Sequence, residues 1–307
     1  MKRHILISEF MATPWAMMPE RLNAASAMLH RWAMGAPVAL EDDDVGPQKS
    51  AFEARRERAQ QMAANTSIGV LPLYGSIIQR ANMVTEFCGG TSTQQFAQSF
   101  REMMADPSIG AILIDIDSPG GSVYGTGELA EEILAARGQK PVIGLANSLA
   151  ASAAYWIGAS CRELYVTPGG EVGSIGVWQA HFDYSEQLAA EGVKPTLISA
   201  GKFKVEGNPY KPLDEEAQAF MQSRVDDYYA AFTKGVSKGR GVGIAQVRDD
   251  MGQGRCLGAE AAQAAGMVDG VMTFDDVVKK MQKDLRAQRP AGANRAAIAQ
   301  RDLSLLG

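Results

Sequence analysis

The sequence predicts an α/β fold made of repeated βαβ units and closed by an α-rich C-terminal section. Between about residues 67 and 201, short apolar runs (GAILIDID, PVIGLA, ELYVT) alternate with amphipathic stretches such as TSTQQFAQSFREMMADP and ELAEEILAARG. That alternation implies parallel pairing through crossovers. Beyond residue 213 the apolar spacing turns helical and stays so for more than twenty residues before two shorter helical patterns. A length of 307 residues, 46% of them hydrophobic and 21% charged, suffices for a sizeable core.

Taken in order, residues 1–66 read as a weakly structured arm. It holds a helix near residues 20–34, the acidic EDDD at 41–44 and the charged AFEARRERAQQMAA. The packed domain spans residues 67–280. It opens with IGVLPLYGSII, two short strands around a bend at Gly75. A helix follows, with Phe96, Phe100 and Met103 on one face, a Ser/Thr cap before it and Pro107 after it. GAILIDID is a buried strand, SPGGSVYGTG a turn, ELAEEILAARG a helix with Leu129 and Ile133 facing inward, and PVIGLA a second buried strand. LAASAAYWIGAS reads as helical, ELYVT and GSIGVW as strands, FDYSEQLAAEG as a helix and KPTLISAG as a strand. After the loop KFKVEGNPYKP a long helix is predicted over residues 214–236, carrying Phe220, Val225, Tyr228, Tyr229 and Phe232. AEAAQAAGMVD and TFDDVVKKMQKDL form the last two helices, with Gly266 ending the first. The domain division sets residues 281–307 apart as an Ala/Arg-rich tail, in which RAQRPAGANRAAIAQRDLSLLG reads as a solvated tail or an exposed helix.

The net charge of -5 and a pI near 5.4 supply no basic field, which argues against nucleic-acid binding. Cys88, Cys161 and Cys256 are odd in number, far apart and without metal-ligand spacing, so reduced thiols are expected and no metal. Glu9, Pro14 and Pro19 interrupt the N-terminal sequence before it can form a signal segment. No run approaches the roughly 18 apolar residues of a membrane span. A cytoplasmic protein with no membrane contact is the expectation.

Three segments carry chemistry. DSPGGSV, residues 117–123, places paired glycines between a strand and a helix, where bare amides can face an incoming oxyanion; a plain βα turn has the same appearance. NSLAASAAYWIG, residues 147–158, sets Ser152 among alanines at the start of a helix. There the Ala153 amide would join Gly121 as a second oxyanion donor, and the helix N-terminus favours developing negative charge. A closely packed Ala/Ser helix is the plainer alternative. Ser148 and Ser160 are rival hydroxyls, Ser148 standing where a cap residue would. ISAGKFKVEGNPY, residues 198–210, offers Lys202 and Lys204. A lysine serves as a general base only where its environment brings its pKa down from about 10.4. Two residues apart in an extended segment, the two lysines face opposite ways, so one of them enters a site, and spacing does not say which.

In this order, and with GSIGVWQAHFDYSEQLAAEGVKPTLISAGKFKVEGNPY between residues 173 and 210, the segments resemble the signal peptide peptidase A (protease IV) family. They are most similar to its phage branch, the lambda-type head maturation proteases, over about residues 67–275. The resemblance implies a crotonase-like (Clp protease-like) fold and a serine endopeptidase with a Ser/Lys dyad. Ser152 is then the nucleophile, Lys204 before V-x-G-N-P-Y the base, and the Gly121 and Ala153 amides the oxyanion hole. Ser174 of GSIGV is the candidate to orient the lysine amine. Many relatives carry glycines where this chain has Ala153 and Ala154, a change that leaves the amides in place. The resemblance further implies a homo-oligomer, no cofactor, capsid and scaffold proteins as substrates, and a place in the host cytoplasm within an assembling phage head. Rival readings are a Ser/His/Asp triad using His181 and Asp183, an acyl-CoA enzyme of the same superfold, a cellular peptide-degrading relative, and a non-catalytic scaffold protein.

Overall fold

The computed structural model describes residues 13–33, 67–80 and 90–288. The acidic run at 41–44, the charged stretch that follows it, Cys88 and the tail beyond residue 288 lie outside the described residues.

The first described segment forms β1 (Trp15–Met17) and α1 (Pro19–Ala33). β2 (Ile68–Tyr74) and β3 (Ser76–Ile78) flank the bend at Gly75, and β4 (Gly90–Ser92) leads into α2 (Thr93–Ala105). The Ser92 hydroxyl accepts the Gln95 amide at 3.4 Å, the capping bond its sequence suggested. Next come β5 (Ala111–Ser118), β6 (Gly120–Ser122), α3 (Thr126–Ala136), β7 (Val142–Ala151), α4 (Ala153–Ala159), β8 (Glu163–Val166) and β9 (Glu171–Gly173). After α5 (Ser185–Ala190), the 26-residue α6 (Glu215–Arg240) begins at Asp214, whose carboxylate accepts the Ala217 amide at 2.9 Å. α7 (Ile244–Asp249), β10 (Cys256–Gly258), α8 (Ala259–Ala264), β11 (Gly270–Val271) and α9 (Phe274–Gln288) complete the chain.

The main sheet runs β10-β9-β7-β5-β2, and β8, with β11 outside it, also pairs with β7. The pairings β2–β5, β5–β7, β7–β8 and β7–β9 are all parallel. Both faces are covered, which is why these strands read as unbroken apolar runs. Period-two alternation divides them. Ile68, Val70, Ala111, Leu113, Ile143 and Leu145 meet α9 through Val277, Val278 and Met281. Leu71, Leu73, Ile112, Ile114 and Ile116 face the larger cluster with Phe96, Phe100, Ile133, Ile157 and Phe232 from the helices opposite. A second sheet, β1-β6-β3-β4, lies beside the C-terminal ends of these strands because β3 and β6 continue directly from β2 and β5.

Five expectations change. The stretch LAASAAYWIGAS is helical only from Ala153, since β7 continues through Ala151. SPGGSV is not only a turn, because Gly120–Ser122 pairs as a strand. GSIGVW loses regular pairing after Gly173 apart from one bridge at Trp178, and KPTLISAG forms no strand and is exposed. Trp15, Ala16, Met17 and Leu22, within the segment read from sequence as an arm, are buried. Pro14 and Pro19 bracket a run just long enough for a short strand.

Arg137 closes the helical layer. Its guanidinium donates to the carbonyls of Ser160 (2.9 Å), Ala159 (2.9 Å), Gly239 (2.7 Å) and Cys161, so it caps the C-terminal ends of α4 and α6 together. Arg240 pairs with Asp269 at 2.7 Å, and Asp269 also accepts the Leu164 amide. Burial pushes the Asp269 carboxyl up, but its bonds to Arg240 and Leu164 outweigh this and hold it below the usual carboxylate range. Removing Arg137 leaves several half-buried carbonyls unpaired. Arg137→Ala is expected to cost about 2–4 kcal/mol, read from the shift in the urea unfolding midpoint at unchanged slope.

Candidate active site

The site is built where β7 changes partners. Ile116 pairs with Ala146 and Ser118 with Ala150, so β5 advances two residues while β7 advances four. The excess is a bulge at residues 147–149, and Ser148 sits in it with φ 114°. Ser148 is therefore a bulge residue rather than the helix cap its position suggested. Before the bulge, β7 pairs with β8; from Leu149, the last bulge residue, through Ala151 it pairs with β9.

This switch delivers Ser152. Its amide donates to the Gly173 carbonyl at 2.6 Å, and its own carbonyl accepts the Trp156 amide at 3.0 Å as the first bond of α4. Between them the backbone stands at φ 55°, ψ -119°. A non-glycine residue there carries about 1–3 kcal/mol of strain, and such strand-to-helix elbows are one way of presenting a nucleophilic serine. Ser152 is 1% exposed, and its hydroxyl has no hydrogen-bond partner among the described residues. A buried hydroxyl left unpaired costs about 1–3 kcal/mol, which a purely structural serine would avoid.

β6 forms the opposing wall. Gly120 has φ 96°, and a Cβ built on it would lie 2.3 Å from the Ala16 carbonyl oxygen and 2.9 Å from the Ser152 Cβ. On Gly121 a Cβ would come within 1.9 Å of the Ile77 carbonyl oxygen. Only bare backbone fits here. The Ser118 hydroxyl steadies the turn, donating to the Gly75 carbonyl at 2.6 Å and accepting the Gly120 amide at 3.2 Å.

β1 pairs antiparallel with β6, with Ala16 opposite Gly121. Met18 donates to the Pro119 carbonyl at 3.1 Å and Val123 to the Pro14 carbonyl at 3.5 Å, two residues to either side. Hydrogen-bonded pairs in an antiparallel ladder fall on every second residue, so Ala16 and Gly121 form such a pair and the Gly121 amide donates to the Ala16 carbonyl. Gly121 thus already holds a peptide oxygen. Ala153, first in α4, has no intrahelical acceptor for its amide.

The other predicted residues are spread out. Ser174, buried and at φ 54°, follows Gly173 directly, so the Ser152–Gly173 bond keeps it beside the nucleophile. Lys204 is exposed, in the turns of residues 201–207, and does not reach the Ser152 hydroxyl. Lys202 is bound to Glu216 at 2.8 Å and lies 4.4 Å from the Phe203 ring centroid. His181 meets the Asn208 carbonyl at 3.1 Å and Asp183 accepts the Ser185 amide at 2.9 Å, so neither joins Ser152 in a triad. Bonding to Ser185 first, and the His181 charge after it, lower the Asp183 carboxyl.

Burial drives the Cys161 thiol up to about 12 and the Cys256 thiol up to about 11, which leaves neither primed as a nucleophile. Among the described residues no group of three or more His, Cys, Asp or Glu could hold a metal, and no helix is long and apolar enough to cross a membrane. Ser118 and the β1–Trp178 contact were missed from sequence, although WAMM between two prolines carries the mark of a short strand.

Residues 135–288 match Peptidase family S49. The capsid assembly protease C of Escherichia phage lambda is 32% identical over 254 residues, covering 83% of this chain and 55% of that protein. The head-tail preconnector protein of Enterobacteria phage P21 is 32% identical over 287 residues, covering 89% and 57%. Protease 4 of Salmonella typhi is 32% identical over 193 residues, covering 62% and 30%. The chain therefore spans little more than half the length of the two phage relatives.

The β6 wall makes a sharp steric statement. Gly121→Ala is expected to destabilise by about 1–3 kcal/mol or more, because its Cβ meets rigid backbone. Gly138→Ala, where a Cβ would meet nothing within 4 Å, is expected to stay within about 0.5 kcal/mol of the parent. Denaturant titration of the two variants side by side measures the difference.

Proposed function

Since the chain belongs to peptidase family S49, we propose that it is a serine endopeptidase with Ser152 as nucleophile and Lys204 as general base. One observation carries the reading: the Ser152 hydroxyl is buried and unpartnered, at a strained elbow, against the bare backbone of Gly120 and Gly121. In the proposed reaction neutral Lys204 takes the Ser152 proton as Oγ attacks a peptide carbonyl carbon. The Gly121 and Ala153 amides hold the oxyanion. The lysine then passes its proton to the leaving nitrogen, and water hydrolyses the acyl-enzyme. Ser174 orients the lysine amine. No cofactor is required.

Lys204 must be carried to Ser152 for this chemistry. The segment that bears it is apolar and uncovered, with Ile198 95% and Phe203 51% exposed and Phe182, Val193, Leu197 and Phe220 exposed around them in sequence. A run of exposed apolar side chains of this kind marks an interaction surface. We assign it to contact between copies of this chain, a homo-oligomer whose assembly covers the segment and supplies the desolvated setting a lysine base needs. For substrates we propose capsid and scaffold proteins of an assembling phage head in the host cytoplasm, as the names of the phage relatives suggest. The chemistry places no demand on nucleic acid or membrane.

Incubation with candidate capsid and scaffold proteins, read by intact mass, tests the assignment. Ser152→Ala and Lys204→Ala should each lower cleavage by at least about 10³-fold, while Lys202→Ala and His181→Ala retain it. Loss in His181→Ala with survival of Lys204→Ala would sink the dyad. An equimolar mixture of Ser152→Ala and Lys204→Ala should regain part of the activity if the two groups meet across an interface, and none if they meet within one chain.

A further inference from the structure

The groove beside Ser152 is already filled by the chain itself. Residues 14–18 run as an extended strand between β6 on one side and Trp178 on the other. Toward β6, Pro14, Ala16 and Met18 take part in the ladder with Val123, Gly121 and Pro119. Toward Trp178, Trp15 donates to the Trp178 carbonyl at 2.9 Å and accepts its amide at 3.0 Å, and the Trp178 indole donates to the Met17 carbonyl at 3.0 Å. Main-chain bonding on both edges is how an extended peptide is held by strand addition.

The register is specific. The Gly121 amide donates to the Ala16 carbonyl oxygen. One point in space, the Cβ position of Gly120, lies 2.3 Å from that oxygen and 2.9 Å from the Ser152 Cβ, so the two atoms are no farther apart than those lengths combined. Ala16 is fully buried in the main core cluster, its methyl enclosed, while Trp15 and Met17 turn the other way into a cluster with Leu22 and Trp178. The strand thus presents a small residue to Ser152 with its carbonyl on a proposed oxyanion donor.

We propose that residues 14–18 are the enzyme's first substrate and that it cuts its own Ala16–Met17 bond, clearing the groove for other polypeptides. The inference rests on Ser152 acting as nucleophile. Oγ forms an ester with the Ala16 carbonyl carbon as the C–N bond to Met17 breaks. The serine proton, relayed by the general base, ends on the Met17 nitrogen. One water then hydrolyses the ester, freeing the Ala16 carboxylate and regenerating the hydroxyl. The products are the segment ending at Ala16 and a chain beginning at Met17. The enclosed Ala16 methyl also sets the preference for a small residue before the scissile bond.

The test follows purified full-length protein by intact mass over time, beside Ser152→Ala, and supplies each with a generic apolar reporter peptide and with the peptide TPWAMMPERL, residues 13–22. Wild type should convert to a species beginning at Met17, Ser152→Ala should stay intact, and the peptide should be cut between Ala16 and Met17. The same peptide with Ala16→Leu should be cut at least about 10-fold more slowly. If the reporter is cut while the chain stays full length and TPWAMMPERL is untouched, or if either is cut at another bond, self-processing at this register is overturned and the peptidase reading stands. If nothing is cut, including the reporter, at a protein concentration where the copies are associated, the peptidase reading fails and takes this inference with it.

Discussion

The site depends on the bulge at residues 147–149. Without it β7 would continue beside β8 and no carbonyl would be positioned for the Ser152 amide. With it, the last three residues of the strand transfer to β9, and the Gly173 carbonyl takes that amide at 2.6 Å. The bond fixes the elbow, and the elbow fixes the direction of α4. All seven residues of α4 are buried, and Trp156 stacks on Phe232 of α6 with ring centroids 4.9 Å apart. Burying such large side chains contributes about 1.5–3 kcal/mol each, enough to offset the strain at Ser148, Ser152 and Ser174. The strain persists because sheet and helix constrain it from both ends.

The two proposed catalytic groups are held in very different ways. Ser152 stands at the junction of sheet, elbow and helix, where packing leaves its backbone no freedom. Lys204 lies on an exposed stretch whose neighbours include some of the most exposed apolar side chains among the described residues. On the proposed reading the nucleophile is pre-organised by folding, whereas the base arrives only with association. A peptidase arranged so is silent when dilute and active when its copies are concentrated, a useful property for an enzyme that must not digest its surroundings.

Sequence patterning captured the fold where burial writes a period. The apolar runs of β2, β5 and β7, the capped α2 and the long α6 all stand where their spacing placed them. It singled out Ser152 by its small neighbours and the glycines by their position after a strand, and the structure brings Gly120 close to Ser152. It did not capture the bulge, because Ser148 looks the same as a cap residue and a bulge residue until the partner of each half of β7 is known. KPTLISAG failed for a related reason: its apolar residues have strand composition but no strand to pair with among the described residues, so β-propensity alone did not decide. The β1 pairing was hidden because three residues carry too little pattern to be weighed against flanking prolines, and its stability comes from Trp178, more than 160 positions away.

The alanines after Ser152 show what the site requires of side chains. Alanine at positions 153 and 154 restricts the backbone more than glycine would, which favours the helical start. Both alanine side chains are fully buried within the core cluster. On the proposed reading the Ala153 amide is unaffected by the methyls, because the direction of a backbone donor is set by φ and ψ and not by Cβ. Gly120 and Gly121 are the opposite case, since there the space a Cβ would need is already taken by the carbonyls of Ala16 and Ile77. The wall facing Ser152 therefore must be bare, while the helix behind it can be filled, and filling it stiffens the turn that presents the hydroxyl.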